Sequence, residues 1–228
     1  MAKPISKFKS KEVKKEGSVE LYYRALGWFE ENKKLVYGGI AVFVVIIAAV
    51  VFYGINKKEN NIAAGTALTK IMPVYESGAY LQAIDGDPAK KISGLKKISE
   101  DFSGTENGEA AKIYLANALS YLGKTEEAFK HYDDYSGGNP IFSAAAEYGK
   151  AGYYEVKKEL EKAADGYEKA ASLSKENPMN AQYLLNAAIV YIEMDKKDKA
   201  KDILISLKSD YSKSYVIKDV DRYMALVD

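Results

Sequence analysis

The chain has 228 residues, and its 33 basic and 32 acidic side chains leave a formal net charge of +1 at pH 7. It contains no cysteine, which excludes disulfides, thiolate catalysis and cysteine-based zinc sites. The balanced charge carries no basic stripe and no recognised nucleic-acid motif, so nucleic acid is not an expected partner.

The N-terminal segment has two parts. Residues 1–17 are rich in lysine and glutamate and poor in hydrophobic residues, which predicts a disordered basic tail. Residues 18–34 predict an amphipathic juxtamembrane helix, because apolar side chains recur at helical spacing, namely Tyr22, Ala25, Leu26 and Phe29. This helix either lies at the level of the lipid headgroups or docks onto a partner membrane protein.

Residues 35–55 form an uncharged run of 21 residues, LVYGGIAVFVVIIAAVVFYGI. At about 1.5 Å per residue the run covers roughly 30 Å as a helix, which matches the hydrocarbon thickness of a bilayer. The alternative is a cleaved signal peptide, whose apolar core is typically about 7–15 residues long and follows a short basic stretch. This run is longer and begins after 34 residues, so we predict a single transmembrane helix in the lipid bilayer.

The distribution of basic residues predicts the orientation of this span. Nine lysine and arginine residues precede it, whereas Lys57, Lys58 and Lys70 follow it within about 20 residues, the window in which such charges count. Because basic residues resist translocation, the N-terminal tail is predicted to be cytoplasmic. The domain of residues 60–228 would then lie outside the cytoplasm.

Residues 60–228 predict an all-α domain, because apolar residues recur at helical spacing without the sustained alternation typical of strands. Two helices are predicted at its start, over residues 62–78 and 89–102, with a turn at 85–88 between them. A C-terminal helix from Ser214 has the apolar side expected of a helix that caps a stack, formed by Val216, Ile217, Val220, Tyr223, Met224 and Val227.

Three segments of this domain repeat one pattern. Aligning GKTEEAFKHY (123–132), KELEKAADGY (158–167) and DKKDKAKDIL (195–204) brings three alanines into register, at steps of 35 and 37 residues. The pattern resembles the tetratricopeptide repeat (TPR), a helix-turn-helix unit of about 34 residues. The signature Trp of that repeat is replaced by Lys112, Glu147 and Leu184.

The TPR resemblance implies a helical solenoid, in which each unit buries its apolar face against the next. The alternative is an ordinary helical bundle with the same spacing. In the solenoid, small residues lie where two helices cross and a large residue follows one turn later. The predicted packing residues are Leu115, Ala116, Ala128, Tyr132, Ala163, Tyr167, Ala187, Ala188, Ala200 and Leu204.

The order of several segments adds a more specific resemblance. The span after EENKKL is followed by YESGAYLQAIDG, then by GLKKISEDFSGTENGEAAKIYLANALSYLGKTEEA and the closing IKDVDRYMALV. Together they resemble the YfgM-like TPR proteins of bacterial inner membranes. This resemblance implies a cytoplasmic N-terminus and a periplasmic C-terminal domain. It also implies an ancillary subunit of the Sec translocon that works beside a membrane-anchored periplasmic chaperone of the peptidyl-prolyl isomerase class.

Helical repeats present a concave groove that can hold a peptide or a partner helix. On the repeat alignment, the candidate groove residues are Ile113, Asn117, Tyr121, Tyr148, Val156, Leu185, Ile189 and Ile192. This set is largely apolar, and we expect it to receive a hydrophobic segment of a partner chaperone or of an emerging chain. The alternative is that several of these residues belong to the core between repeats.

No catalytic constellation accompanies these features. His131 is the only histidine, and the sequence has no phosphate-binding loop, no nucleophile elbow and no metal-binding histidine pair. We therefore predict a protein that is not an enzyme and has no cofactor, no metal and no small-molecule substrate. Two alternative functions remain open: an inner-membrane scaffold for another envelope assembly complex, and a cytosol-facing scaffold that recruits soluble factors.

Overall fold

The computed structural model describes the backbone of residues 6–227 and the side chains of residues 19–227. Over this range the protein is all-helical, as predicted, with one pair of two-residue strands. The helices are α1 (Ser6–Glu31), α2 (Lys33–Glu76), α3 (Tyr80–Asp85), α4 (Leu95–Asp101), α5 (Glu106–Tyr121), α6 (Thr125–Asp133), α7 (Pro140–Val156), α8 (Leu160–Ser172), α9 (Asn180–Glu193), α10 (Lys197–Asp210) and α11 (Ile217–Met224).

The chain divides into two compact units, residues 1–56 and residues 57–228. In the first unit, α1 begins at Ser6, so residues 6–17 are helical where the sequence predicted disorder. Lysine and glutamate have high intrinsic helix propensity, which favours a helix even without an apolar face. The prediction for residues 1–5 lies outside the described residues. The predicted helix over 18–34 is interrupted at Asn32, whose side-chain amide donates to the Trp28 carbonyl oxygen at 2.8 Å.

The apolar run 35–55 lies within α2, the one helix of the described residues that is long and apolar enough to cross a membrane. Its large side chains are solvent-exposed, including Phe43 at 63%, Val50 at 66% and Phe52 at 70%. Burying one such side chain is worth about 1.5–3 kcal/mol, so water is an unfavourable surrounding for this run.

Four helical hairpins of the second unit share one turn. They are α2/α3, α5/α6, α7/α8 and α9/α10, and three residues connect the two helices of each. The middle connecting residue has a positive φ in every case: 80° at Gly78, 74° at Gly123, 61° at Lys158 and 58° at Asp195. The residue after it has φ between −78° and −89° and ψ between 59° and 64°. One backbone geometry is therefore repeated four times.

The first of these hairpins contains an insertion that the sequence did not predict. The helix predicted over 89–102 is only α4 (Leu95–Asp101), and residues before it form β1 (Gly86–Asp87), a short 3-10 helix (Pro88–Lys90) and β2 (Ile92–Ser93). Two glycines permit this compact segment. A β-carbon at Gly86 would lie 2.4 Å from the Ile92 carbonyl oxygen, and one at Gly94 would lie 2.2 Å from the Ile84 carbonyl oxygen.

Consecutive helices from α4 to α11 pack against one another along the chain. The core has two main clusters, one built from α2 to α7 and one from α7 to α11. The C-terminal helix α11 begins at Ile217 and covers the second cluster with the fully buried Val220. Val216, just before the helix, is buried beside it.

Candidate functional site

All ten residues predicted to pack between helices are buried. The alanine five residues after the positive-φ residue is 0–2% exposed in each of the three predicted repeats, at Ala128, Ala163 and Ala200. Ala83 occupies the same place after Gly78 in the first hairpin and is also fully buried. A small side chain at such a position lets two helices approach closely. The other seven packing residues are exposed by 5% or less: Leu115, Ala116, Tyr132, Tyr167, Ala187, Ala188 and Leu204.

The eight predicted groove residues do not share one environment. Ile113 and Leu185 are core residues, exposed by 1% and 4%, so they offer no surface to a partner. The reason is that α5 packs against α3, α4, α6 and α7, and α9 packs between α8 and α10, which buries apolar side chains on more than one side of each helix. Tyr121 and Val156 are exposed. The remaining four are half-buried: Asn117, Tyr148, Ile189 and Ile192.

Five tyrosines from five different helices interact with one another, and we call them the tyrosine cluster. They are Tyr75 of α2, Tyr121 of α5, Tyr132 of α6, Tyr148 of α7 and Tyr183 of α9. Aromatic rings pack against one another at both ends of the tyrosine cluster. Tyr80 lies edge-on to Tyr75 at 5.5 Å between centroids and stacks on Tyr121 at 4.6 Å. Tyr148 stacks on Tyr183 at 4.6 Å.

Side-chain amides join the hydroxyls of the tyrosine cluster. The Tyr132 hydroxyl donates to Asn117 Oδ1 at 2.6 Å, and Asn186 Nδ2 donates to the Tyr148 hydroxyl at 3.1 Å. Gln182 extends the network, because its amide donates to Asn186 Oδ1 and accepts from the Tyr215 hydroxyl, both at 2.8 Å. Around Asn117 and Tyr148, two of the predicted groove residues, the site therefore contains hydroxyl and amide groups as well as apolar ones.

Burial and the neighbouring phenols disfavour the ionised form of the Tyr132 and Tyr75 side chains. Burial raises the pKa of Tyr132, and the nearby phenols of the other four cluster tyrosines raise it further. Burial and the neighbouring Tyr121 raise the pKa of Tyr75 to about 12. The Tyr132 and Tyr75 hydroxyls therefore stay protonated at neutral pH and act as neutral donors and acceptors.

A cleft of about 180 Å³ opens beside the tyrosine cluster. It is lined by Ser120 and Tyr132 on one side and by Tyr148, Gly152 and Val156 of α7 on the other. This volume corresponds to about six water molecules. The cleft and the exposed Tyr121 ring form the accessible part of the site.

A buried carboxylate, which was not predicted from the sequence, lies between two hairpins. Glu109 is 2% exposed and accepts the backbone N–H groups of Gly104 at 3.1 Å and Ser136 at 2.9 Å. Lys112 Nζ donates to both Glu109 oxygens at 3.1 Å and to the Asp134 carbonyl oxygen at 2.9 Å. Burial raises the pKa of Glu109, but these hydrogen bonds outweigh it and hold the pKa below its usual value. Glu109 thus joins two loops that connect successive hairpins.

His131 is half-buried in α6, and burial lowers the pKa of its imidazole. It lies outside the tyrosine cluster. Within the described part of the chain, no three His, Asp or Glu side chains come together in a way that could hold a metal ion.

No protein-family model matches this chain, and no curated protein matches it significantly.

Proposed function

We propose that this protein is a non-enzymatic, membrane-anchored TPR protein that binds protein partners outside the cytoplasm. α2 supplies the anchor through residues 35–55, and the second unit supplies the binding domain. In this proposal the domain works in the bacterial periplasm, where it links the Sec translocon to a membrane-anchored chaperone of the peptidyl-prolyl isomerase class during export and folding.

The repeated hairpin turn is the observation that carries the proposal. Four hairpins share one left-handed connecting residue, and each has a buried alanine five residues later. Units of this kind stack into a solenoid whose inner helices present an extended surface to a peptide or a partner helix. Four of the five tyrosines of the cluster lie on the first helices of hairpins, namely α2, α5, α7 and α9, and Tyr132 lies on the second helix α6. The concentration on first helices supports a binding surface of this kind.

Two further observations support the membrane-anchored part. The exposed apolar residues of 35–55 need a non-aqueous surrounding, which a bilayer supplies. The excess of lysine before this segment favours a cytoplasmic N-terminus. The role beside the translocon rests on the order of segments that resembles the YfgM-like proteins.

Site-specific photo-crosslinking in living cells tests this function. A photoreactive phenylalanine analogue at Tyr121 or at Val156 samples the exposed side of the site. The same analogue at Glu161 of α8 is the matched control, since that side chain is 74% exposed and belongs neither to the tyrosine cluster nor to the lining of the cleft. Tyr121 and Val156 should crosslink to a translocon subunit or to the chaperone, identified by mass spectrometry, whereas Glu161 should not. Products that contain only cell-wall or outer-membrane assembly proteins would replace the translocon role with the scaffold alternative.

A further inference from the structure

Three clefts of the second unit differ in whether a charged side chain lines them and in what that side chain pairs with. The cleft of about 530 Å³ contains Glu109, whose carboxylate accepts a hydrogen bond from the Ser136 backbone N–H and forms an ion pair with Lys112. The cleft of about 310 Å³ contains Glu147, which pairs with Lys150 at 2.8 Å and with Lys169 at 3.2 Å. The cleft of about 180 Å³ at the tyrosine cluster has no charged residue in its lining.

A carboxylate lies next to this third cleft. The Tyr167 hydroxyl, which lines the cleft, donates to Glu155 Oε2 at 2.5 Å. The charge of Glu155 acts on the Tyr148 phenol as well as on that of Tyr167. The Glu155 carboxylate therefore lies beside two tyrosines that line the cleft. Its charge creates a negative potential there that attracts a cation.

The aromatic rings add a second attraction for a cation. Tyr121 is 68% exposed and stacks on Tyr80, so one face of a two-ring stack is open to a partner. A Lys or Arg group over such a face is attracted by the ring quadrupole. Tyr121 and Tyr80 take part in none of the four ring–cation contacts among the described residues; these involve Tyr153, which lines the cleft, and Tyr154, Tyr191 and Tyr223.

We propose that the tyrosine cluster and Glu155 bind an extended peptide segment that carries lysine or arginine side chains. Charge complementarity selects this occupant, because the site offers hydroxyls, amide oxygens, ring faces and a carboxylate. One basic side chain enters the cleft between α5 and α7, and another lies over the Tyr121 ring. This inference rests on the proposed peptide-binding function and replaces the hydrophobic occupant expected from the sequence.

The test uses the full-length protein in an uncharged detergent and fluorescein-labelled 12-residue peptides. Four peptides share one Gly/Ser framework and differ at the same four positions, which carry Lys, Gln, Glu or Leu. Fluorescence anisotropy gives each Kd at low and at high salt. The Lys peptide should bind at least about tenfold more tightly than the Gln peptide, and high salt should reduce this preference.

Two glutamates form a matched pair of variants. Glu155→Gln should weaken binding of the Lys peptide by about three- to tenfold, because it removes the charge at the site. Glu168→Gln is the control, since Glu168 also accepts a tyrosine hydroxyl at 2.5 Å, from Tyr191, outside the cluster. Glu168→Gln should leave the Kd unchanged. Tyr121→Ala, which removes an exposed ring, should weaken the Lys peptide more than the Gln peptide.

The outcomes separate this inference from the proposed function. Equal Kd values for the Lys and Gln peptides, or equal effects of Glu155→Gln and Glu168→Gln, would overturn cation selection while leaving a peptide-binding domain. If the Leu peptide bound most tightly, cation selection would again be overturned, and a hydrophobic peptide segment would be the better assignment for the site. Loss of all peptide binding together with no crosslinks at Tyr121 and Val156 would reject the proposed function itself.

Discussion

Two glycines of α7 differ in what a β-carbon would meet. At Gly149 it would lie 2.2–2.5 Å from three ring carbons of Tyr132, which is a buried residue with little room to move. At Gly152 it would lie 3.6 Å from the Tyr167 hydroxyl, an ordinary van der Waals separation. The same substitution to alanine therefore forces a displacement at one position and none at the other.

Gly152→Ala and Gly149→Ala should change the free energy of unfolding in opposite directions. Replacing glycine by alanine inside a helix contributes about 0.5–1 kcal/mol of stability, and Gly152→Ala should show this gain. Gly149→Ala receives the same gain but overpacks the contact with Tyr132, which costs about 1–3 kcal/mol. Displacing the Tyr132 ring also weakens its hydrogen bond to Asn117, worth about 1 kcal/mol. The net effect of Gly149→Ala is a loss of roughly 1–3 kcal/mol.

Urea unfolding of the full-length protein in an uncharged detergent, followed by far-UV circular dichroism, measures both variants. In a Tyr132→Ala background the ring is absent, so Gly149→Ala should no longer destabilise the protein. If Gly149→Ala and Gly152→Ala shift the midpoint equally and in the same direction, then Tyr132 does not pack on Gly149 and the position of this ring is wrong.

Three further predictions test other parts of the domain. Glu109→Gln should lower the free energy of unfolding by about 2 kcal/mol at neutral pH, because charge-assisted hydrogen bonds are lost. The folded-state pKa of Glu109 lies below its usual value, so the stability that ionised Glu109 contributes is present above the usual pKa and disappears as the pH falls through the folded-state pKa. Urea titrations at several pH values should therefore show the free energies of unfolding of the unmodified protein and of Glu109→Gln converging in acid. Ile113→Asp should destabilise by more than about 3 kcal/mol, whereas Val156→Asp should change stability by less than about 0.5 kcal/mol; equal effects would contradict their different burial. Asp195→Gly should raise the thermal midpoint by relieving a positive φ worth up to about 1 kcal/mol, and a fall would show that the turn is not left-handed there.

The repeat pattern of the sequence identified buried positions because it depends on local geometry. Ala128, Ala163 and Ala200 align directly, and the turns before them are equivalent in the structure. Ala83 belongs to the same series but was not identified. The nine residues from Gly86 to Gly94 interrupt its hairpin, and this insertion breaks the regular step between repeats.

The candidate site was less predictable because it depends on packing between helices that are distant in sequence. Ile113 and Leu185 fall on α5 and α9, and the helices that pack against these two bury both side chains. Tyrosine fills packing positions as a large side chain that is mostly apolar, and the repeat spacing does not show which group its hydroxyl will contact. The contact between Tyr132 and Asn117 joins residues 15 positions apart, and the contact between Tyr148 and Asn186 joins residues 38 apart.

The proposal places residues 57–228 outside the cytoplasm, and the absence of native cysteine allows a direct measurement of that location. Ser136→Cys places a single thiol at an exposed position of the domain, and Ser10→Cys places one in the N-terminal segment. Spheroplasts that express each variant are treated with a membrane-impermeant maleimide, before and after permeabilisation. Labelling at position 136 in intact spheroplasts, with labelling at position 10 only after permeabilisation, is the predicted result. The reverse pattern would place the domain in the cytosol and contradict the account.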